Sequence, residues 1–259
     1  MTASIVTPTL NAARYIRACI ESVQRNDGKP ISMEHVIVDA GSTDGTVEIA
    51  QSYGVRVLQR KDRGIFDAIN KGSLASSGDL IGFLGADDLL LDGAMEKVAK
   101  SYNPGRDRWI SGGVQWITDK GFYLGSTAPP PQWMTPEIFA SLGWCCIWHM
   151  ATFISRDFFI ELGGFDISYT VSGDYDLFAR ALSRIPYRRI SAPLSVYGRT
   201  GENNSRKFVE GLASDGRRVR AQYGPKDEAR LAVYRTAMKV WLNATNPLWC
   251  ANKVTGRFQ

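Results

Sequence analysis

The sequence predicts an α/β fold: an open, mostly parallel sheet flanked by helices, with a helical extension at the C-terminus. The first observation is that short apolar segments alternate with helical patterns through the first hundred residues. The second is that this alternation is typical of a parallel sheet covered by helices on both faces. The predicted strands lie at residues 3–7, 35–38, 55–58 and 80–84, and the predicted helices begin near residues 11, 43 and 65.

The first strand and helix have clear local signals. Pro8 is expected to end the strand. Asn11 is then expected to cap a helix whose apolar face carries Ile16, Ile20 and Val23 at helical spacing.

The second half of the chain is less regular. Two strands joined by a turn near residues 119–121 are expected between residues 109 and 124. A proline run at residues 129–131 marks a loop or a subdomain edge. Further helices are expected near residues 175–184, 206–222 and 227–243.

The composition is that of an ordinary globular protein, with 44% hydrophobic and 22% charged residues. No stretch reaches the roughly 18 apolar residues that indicate a membrane span. The first residues show no basic region followed by a hydrophobic stretch, so we expect no signal peptide. The four cysteines form no CxxC pair, which favours free thiols in a reducing compartment. We therefore expect a cytoplasmic protein.

The net charge of +5 comes from the end of the chain. Residues 206–259 carry eleven Lys or Arg against four Asp or Glu, whereas the first 205 residues are nearly balanced. No helix-turn-helix, base-stacking motif or zinc pattern accompanies this charge, so we expect no nucleic-acid partner.

Polar residues follow three of the predicted strands, at the edge where parallel sheets bind ligands. In chain order they are Pro8-Thr9, Asp39 and Asp87-Asp88. Asp39 can accept a hydrogen bond from the N–H of a nucleobase, and the glycines of the segment 39–46 allow a ligand to approach the backbone. A plain strand-to-helix turn capped by Ser42 or Thr43 is the alternative interpretation.

Asp87 and Asp88 repel one another unless a positive charge lies beside them. A divalent cation that bridges to a diphosphate would supply this charge, and hard oxygen ligands suit Mn²⁺ and Mg²⁺. The alternative is a pair of solvated loop acids that cap the helix near Asp92.

The segment before the fourth strand offers cations for a phosphate group. Arg63 and Asp67 are about one helical turn apart, and Asn70 and Lys71 lie near the end of that helix. An ordinary polar helix face is the alternative interpretation.

Asp174 and Asp176 open a late helix. A carboxylate at a rigid helix start can be aimed to accept the proton of an attacking hydroxyl, but helix capping also explains acids at this position. The preceding aromatic stretch, with Trp144, Trp148 and His149, fits either a sugar pocket or core packing.

Together these segments resemble family 2 glycosyltransferases of the GT-A (Rossmann-like) fold, especially the bacterial members that build surface polysaccharides and glycolipids. The resemblance covers about residues 3–205, and the motifs that carry it keep their order along the chain. They are residues 8–11, 39–46, 64–72, 82–88, 149–156, 162–166 and 173–177.

The resemblance implies roles for these residues. Thr9 and Asp39 would bind the nucleobase, with uracil expected. Asp87 would face the ribose or the sugar, Asp88 would ligate Mn²⁺ or Mg²⁺, and Asp174 would be the catalytic base of an inverting transfer. The expected nucleotide-sugar-binding set is Pro8, Thr9, Asn11, Asp39, Ser42, Arg63, Asp67, Asn70, Lys71 and Asp87, and the expected acceptor pocket is Trp148, His149 and Asp176.

Two positions depart from the family pattern. Ala86 stands where the family often has another acid, and Ile69 stands where it often has an Arg, so Arg63 or Lys71 would replace that cation. A nucleotide-binding subunit without catalytic activity is therefore an alternative. A sugar nucleotidyltransferase would need a glycine-rich loop after the first strand, and residues 8–14 contain no glycine.

The resemblance also implies a domain plan. Residues 1–205 would form the catalytic domain, with residues 1–100 binding the nucleotide-sugar and residues 101–205 binding the acceptor. The acceptor would be a glycan or a lipid-linked sugar. The polar loop 199–207 is a candidate lid over the diphosphate, with a plain surface loop as the alternative.

Residues 206–259 would form a basic helical extension. With Trp241, Trp249 and Phe258 it would rest on the inner face of the cell membrane. Alternatively, the apolar side chains of this extension would pack on the catalytic domain or on the second subunit of a homodimer. Those side chains are Leu231, Tyr234, Met238 and Trp241.

Overall fold

The computed structural model describes residues 1–28, 30–118, 120–199 and 209–254. Its sheet has nine strands: β1 (Thr2–Thr9), β2 (Ser32–Asp39), β3 (Arg56–Gln59), β4 (Leu80–Phe83), β5 (Leu89–Leu90), β6 (Trp109–Thr118), β7 (Tyr123–Thr127), β8 (Thr152–Ser155) and β9 (Arg188–Arg199). The strand order is β3-β2-β1-β4-β8-β6-β9-β5, and β7 pairs with β6.

The first four strands confirm the predicted parallel arrangement. β1 runs parallel to β2 on one side and to β4 on the other, and β2 runs parallel to β3. Antiparallel pairing begins where β8 joins β4 and continues from β8 to β6. The carboxyl ends of β1, β2 and β4 therefore share one edge of the sheet.

Pro8 does not end β1 as expected. The strand continues to Thr9, with Pro8 in register with Val38 of β2. The ladder to β4 ends at the pair Val6–Phe83, so the missing N–H of proline removes no hydrogen bond from the sheet.

Ten helices cover this sheet within the described residues. They are α1 (Ile16–Gln24), α2 (Thr46–Ser52), α3 (Ile65–Ala75), α4 (Ala94–Ser101), α5 (Pro136–Ser141), α6 (Arg156–Glu161), α7 (Gly173–Leu182), α8 (Val209–Tyr223), α9 (Glu228–Thr245) and α10 (Pro247–Val254). A short 3₁₀ turn, His149–Ala151, precedes β8. The sequence did not predict α10, which follows α9 after a break at Asn246.

Alternate residues of the central strands belong to two apolar cores. Val6 belongs to a core with α3, α5 and α7, whereas Ile5 belongs to a core with α1 and α4. Successive strand side chains point to opposite faces, so helices cover both faces of the sheet. The predicted α/β fold is therefore confirmed.

The C-terminal helices pack against the rest of the chain. Leu231 and Met238 of α9 are buried, and Trp241 packs against the same core as α7. Trp249 of α10 is buried against Trp116 of β6, so it is not available as the membrane anchor that we expected. No helix among the described residues is long and apolar enough to cross a membrane.

Candidate active site

The carboxyl edge of β1 and β2 brings the first two predicted sites together. Thr9 and Asp39 are partners in the parallel register of these strands. Both are buried, with Asp39 only 1% exposed. Two residues separated by 30 positions thus form one polar site because the strands end at the same level.

Asp39 is saturated with hydrogen bonds. One carboxylate oxygen accepts the backbone N–H groups of Gly41 (2.9 Å) and Ser42 (2.8 Å), and the other accepts the hydroxyls of Ser42 (2.5 Å) and Thr9 (2.9 Å). Burial opposes the charge, but these four donors outweigh it and lower the pKa of Asp39. Since a carboxylate offers about four acceptor positions, a nucleobase N–H would replace the Thr9 or Ser42 hydroxyl.

Asn11 does not cap α1, which begins five residues later with Tyr15 at its N-cap position. Asn11 has a positive φ of 53° instead, and it links the loops that follow β1 and β2. Its N–H donates to the Ser42 hydroxyl at 2.8 Å, and its side-chain oxygen accepts the Thr43 N–H at 3.0 Å. The helix expected from about Thr43 begins only at Thr46, after Gly45 with a positive φ of 93°.

The predicted cations on α3 have unequal freedom. Lys71 donates from Nζ to Asp67 and to the carbonyl of Lys61, both at 2.8 Å. This hydrogen bond from Lys71 is the main cause of the lowered pKa of Asp67. The Arg63 guanidinium is 3.7 Å from Asp67, and its side chain is 74% exposed. Arg63 is thus the cation with more room to meet a phosphate.

Asn70 is occupied by another part of the chain. Its amide nitrogen donates to the Phe165 carbonyl, and its oxygen accepts the Phe165 N–H, both at 2.8 Å. The pair joins α3 to the loop before α7. Its expected contact with the nucleotide-sugar remains a prediction.

Asp88 is buried at the end of β4, with 2% of its surface exposed, so it is not a solvated loop acid. It does not cap α4, whose N-cap residue is Gly93. One carboxylate oxygen accepts the N–H of Gly198 in β9 at 3.3 Å. Burial and the charge of Asp87 raise the pKa of Asp88, because both oppose its ionisation.

The two carboxylates converge over Gly85. A β-carbon at this glycine would lie 2.8 Å from an Asp88 oxygen and 3.1 Å from an Asp87 oxygen. Two carboxylates that both face the position over Gly85 suit a shared divalent cation, which would also relieve their repulsion. Within the described residues, no three His, Cys, Asp or Glu side chains form a complete metal site. The residues thus fit a cation that takes its remaining ligands from a diphosphate and water.

His149 lies beside Asp174 and within the electrostatic influence of Asp87 and Asp88. Its Nδ1 is 3.5 Å from a carboxylate oxygen of Asp174 at the start of α7. Burial opposes protonation, but hydrogen bonding and charge from Asp174, with the charges of Asp88 and Asp87, raise the pKa of His149. The other Asp174 oxygen accepts the Tyr175 N–H at 2.9 Å. Three separate segments of the chain therefore meet here.

The remaining predicted pocket residues have structural partners. Asp176 is buried and receives two nitrogens of Arg180, each at 2.8 Å. The Trp148 ring packs edge-on against Trp116 and lies 6.1 Å from Trp144. Its indole N–H is buried without a hydrogen-bond partner in the described part of the chain. Roles for Asp176 and Trp148 in acceptor binding remain predictions.

Two contributors to this site escaped the sequence analysis. Cys145 is half-buried, and desolvation and then the nearby charge of Asp174 raise the pKa of its thiol. Gly198 holds Asp88 across 110 positions of sequence. Neither residue has a local motif, so only the folded chain reveals them. The candidate lid, residues 199–207, lies outside the described residues except for Arg199 at the end of β9.

The sequence is similar to those of known glycosyltransferases. A PGL/p-HBAD biosynthesis glycosyltransferase of Mycobacterium bovis (strain BCG / Pasteur 1173P2) is 29% identical over 187 residues, which cover 70% of this chain and 69% of that protein. An uncharacterized glycosyltransferase of Rickettsia typhi is 28% identical over 186 residues, covering 69% of this chain and 58% of that protein.

Two solved structures share the fold at 18% identity. S. aureus TarS 1–349 in complex with UDP-GlcNAc has a TM-score of 0.62, covering 91% of this chain and 70% of that chain. A mannosyltransferase from Pyrobaculum calidifontis, in complex with GDP-Man and Mn²⁺, has a TM-score of 0.55, covering 97% and 86%. The GT-A fold is thereby confirmed.

The family model for glycosyl transferase family 2 matches residues 4–163, more than half of the chain. The matched range contains the ends of β1, β2 and β4 together with His149. This protein therefore belongs to glycosyl transferase family 2.

Proposed function

We propose that this glycosyltransferase moves a sugar from a nucleotide-sugar, with UDP as the carrier, to a hydroxyl of a glycan or lipid-linked acceptor, and inverts the anomeric carbon. The observation that carries the proposal is the meeting of Asp88, His149 and Asp174 at the carboxyl edge of the sheet. In this proposal Asp88 holds the cation that meets the departing diphosphate, and Asp174 takes the acceptor proton.

Thr9, Asp39 and Ser42 form the proposed nucleobase site. The negative charge of Asp39 is held by four donors, two of which are hydroxyls that can rotate away. A base N–H would then take the vacated acceptor position. Arg63 is the proposed phosphate contact, because Lys71 is already bonded to Asp67 and to a backbone carbonyl.

Asp88 is the proposed ligand of Mn²⁺ or Mg²⁺, with the Asp87 carboxylate also facing the position over Gly85. A cation there would supply positive charge where the leaving diphosphate gains negative charge. Ala86 contributes no carboxylate, so the protein's own share of the ligand shell is small.

Asp174 is the proposed catalytic base. The Tyr175 N–H and the His149 ring hold its two oxygens, which fixes the direction of its carboxylate. The acceptor oxygen would attack the anomeric carbon while the bond to the diphosphate oxygen breaks, and its proton would pass to Asp174. Attack from the face opposite the leaving group inverts the anomeric carbon.

Release of nucleoside diphosphate from a panel of UDP-, GDP- and dTDP-sugars with Mn²⁺ tests the proposal. The panel includes GDP-sugars because the Pyrobaculum neighbour binds GDP-Man. We expect Asp174→Asn to lower kcat by about 100- to 10 000-fold while donor binding is retained. Asp92→Asn is the matched control, since Asp92 is 73% exposed and forms a surface ion pair. Donor binding without any release of diphosphate would instead favour the nucleotide-binding subunit.

We propose peripheral contact of the basic extension with an anionic membrane surface as a further property. Leu231 and Met238 face the core, so contact would have to use the outer face of α9, where Val233 and Val240 are 62% and 64% exposed. Truncation would expose the core, so the sharper test is co-sedimentation of a Val233→Ser/Val240→Ser variant with anionic vesicles. Unchanged vesicle binding by this variant would argue against contact through this face of α9. Sedimentation velocity of the unmodified protein would show separately whether it forms a homodimer.

A further inference from the structure

A cleft of about 420 Å³ separates the C-terminal helices from the segment after α5. Its apolar walls are Leu142 and Trp144 on one side and Leu242 and Trp249 on the other. Small-molecule sites begin at about 300 Å³. The cleft is therefore large enough for part of a ligand, and its walls come from three different elements.

The polar lining of this cleft is positively charged. Arg235 and Lys239, one turn apart on α9, both line it, and its lining residues include no acid. Arg235 donates from Nε to the Ser141 carbonyl at 2.9 Å, which holds the guanidinium in place. Neither cation has a carboxylate partner among the described residues. The pair is suited to an anionic group.

The cleft adjoins the proposed reaction site through its aromatic wall. The Trp144 ring lies 6.1 Å from the ring of Trp148, and Trp148 directly precedes His149. Gly143 donates its N–H to the hydroxyl of Tyr175, the residue after Asp174, at 3.1 Å. The cleft is thus connected, through Trp144 and Gly143, to the residues next to His149 and Asp174 in the chain.

We propose that this cleft binds a lipid phosphate, with its apolar chain between Trp144 and Trp249 and its phosphate on Arg235 and Lys239. This inference rests on the proposed function and assigns its acceptor to the lipid-linked class. A glycan alone fits poorly, because sugar hydroxyls need many hydrogen-bond partners. The cleft offers two cations and the Asn243 amide among apolar walls.

Geranyl phosphate is a suitable probe, since it combines a short apolar chain with one phosphate. Its binding to the full chain can be followed by tryptophan fluorescence, because two tryptophans line the cleft. We expect saturable quenching by geranyl phosphate, and binding at least about tenfold weaker for geraniol and for inorganic phosphate, which each lack one half of the probe.

Lys239→Glu should weaken geranyl phosphate binding by at least about tenfold, because it places a negative charge beside the phosphate. Lys100→Glu, on the far helix α4, is the matched control and should bind as the unmodified protein does. Trp144→Phe should reduce the quenching amplitude. Melting temperatures of all variants report folding, and Lys239→Gln serves as the milder second variant if charge reversal destabilises the chain.

Equal binding of geraniol and geranyl phosphate would overturn the assignment of the cations. Binding unchanged by Lys239→Glu and Lys239→Gln, or no saturable binding at all, would overturn the proposal. These outcomes are separate from those for the proposed function. Binding of the probe without release of nucleoside diphosphate from any donor would support the cleft proposal and contradict the catalytic one. Release of nucleoside diphosphate without binding of the probe would support the catalytic proposal and contradict the cleft.

Discussion

Asp215 of α8 holds the loop that leads into the proposed catalytic base. One of its carboxylate oxygens accepts three successive backbone N–H groups, those of Thr170 (3.1 Å), Val171 (2.8 Å) and Ser172 (2.9 Å). Asp215 is 6% exposed, and α7, which carries Asp174, begins directly after this loop. Replacing Asp215 with alanine removes the acceptor of all three amides.

The loss of folding free energy in Asp215→Ala depends on how deeply the three backbone N–H donors are buried. A hydrogen bond to a charged group contributes about 1.5–3 kcal/mol, and the loss is greatest where the donor stays buried. Ser172 is buried, whereas Thr170 is exposed and water can replace the carboxylate there. We therefore expect Asp215→Ala to lower the free energy of unfolding by about 3 kcal/mol. For a chain of this size this corresponds to a melting temperature lower by about 6–12 °C.

Urea denaturation and thermal melting measure this loss directly, with Asp92→Ala as the surface control, which should change stability by less than about 1 kcal/mol. Asp215→Asn keeps an acceptor oxygen without the charge. We therefore expect its loss of stability to lie between those of Asp215→Ala and Asp92→Ala. Because the loop positions Asp174, kcat should fall more than KM changes. An Asp215→Ala variant as stable as the control would refute the view that this carboxylate anchors the loop.

Three further predictions follow from other parts of the fold. Burial lowers the pKa of His35 to about 4, so the unfolded chain binds the proton first as the pH falls below about 6.5. The free energy of unfolding should therefore decline from pH 6.5 downward, by about 2 kcal/mol at pH 5. Urea denaturation of His35→Gln should not show this decline. A β-carbon at Gly72 would lie 2.4 Å from a methyl group of Val6 in β1. Gly72→Ala should therefore lower the free energy of unfolding by about 1–3 kcal/mol. Gly105→Ala, which creates no such clash, is the control and should not lower it in this way. Arg63→Gln should raise the donor KM and leave the melting temperature unchanged, while Lys71→Gln should lower the melting temperature; the reverse pattern would reassign the phosphate contact.

The sequence predicted where most of the candidate site residues in the first half of the chain lie. Short apolar strands alternating with helices indicated the parallel sheet, and strands of that kind end at one edge. Thr9, Asp39 and Asp88 could therefore be placed near each other from their positions after strands alone. Asn11 was misassigned because a polar residue before a helical pattern resembles a cap, whereas its contacts to Ser42 lie across another loop.

The rest depended on long-range contacts. No local pattern shows that Lys71 bonds to Asp67 and a carbonyl while Arg63 stays exposed. The sequence also left open whether Asp88 is solvated or buried. Burial is decided by β9, which returns to the edge and donates the Gly198 N–H.

By itself the sequence determined the α/β fold, the order of the motifs and the edge at which the proposed ligand-binding residues lie, since these follow from local periodicity and strand ends. Only the tertiary structure decided that His149 meets Asp174 beside Asp88, and that the C-terminal helices close a charged cleft against Trp144. The physical reason is that these contacts join segments far apart in sequence. Their proximity depends on the pairing of β8 with β4 and of β9 with β5, which brings the second half of the chain to the edge formed by the first.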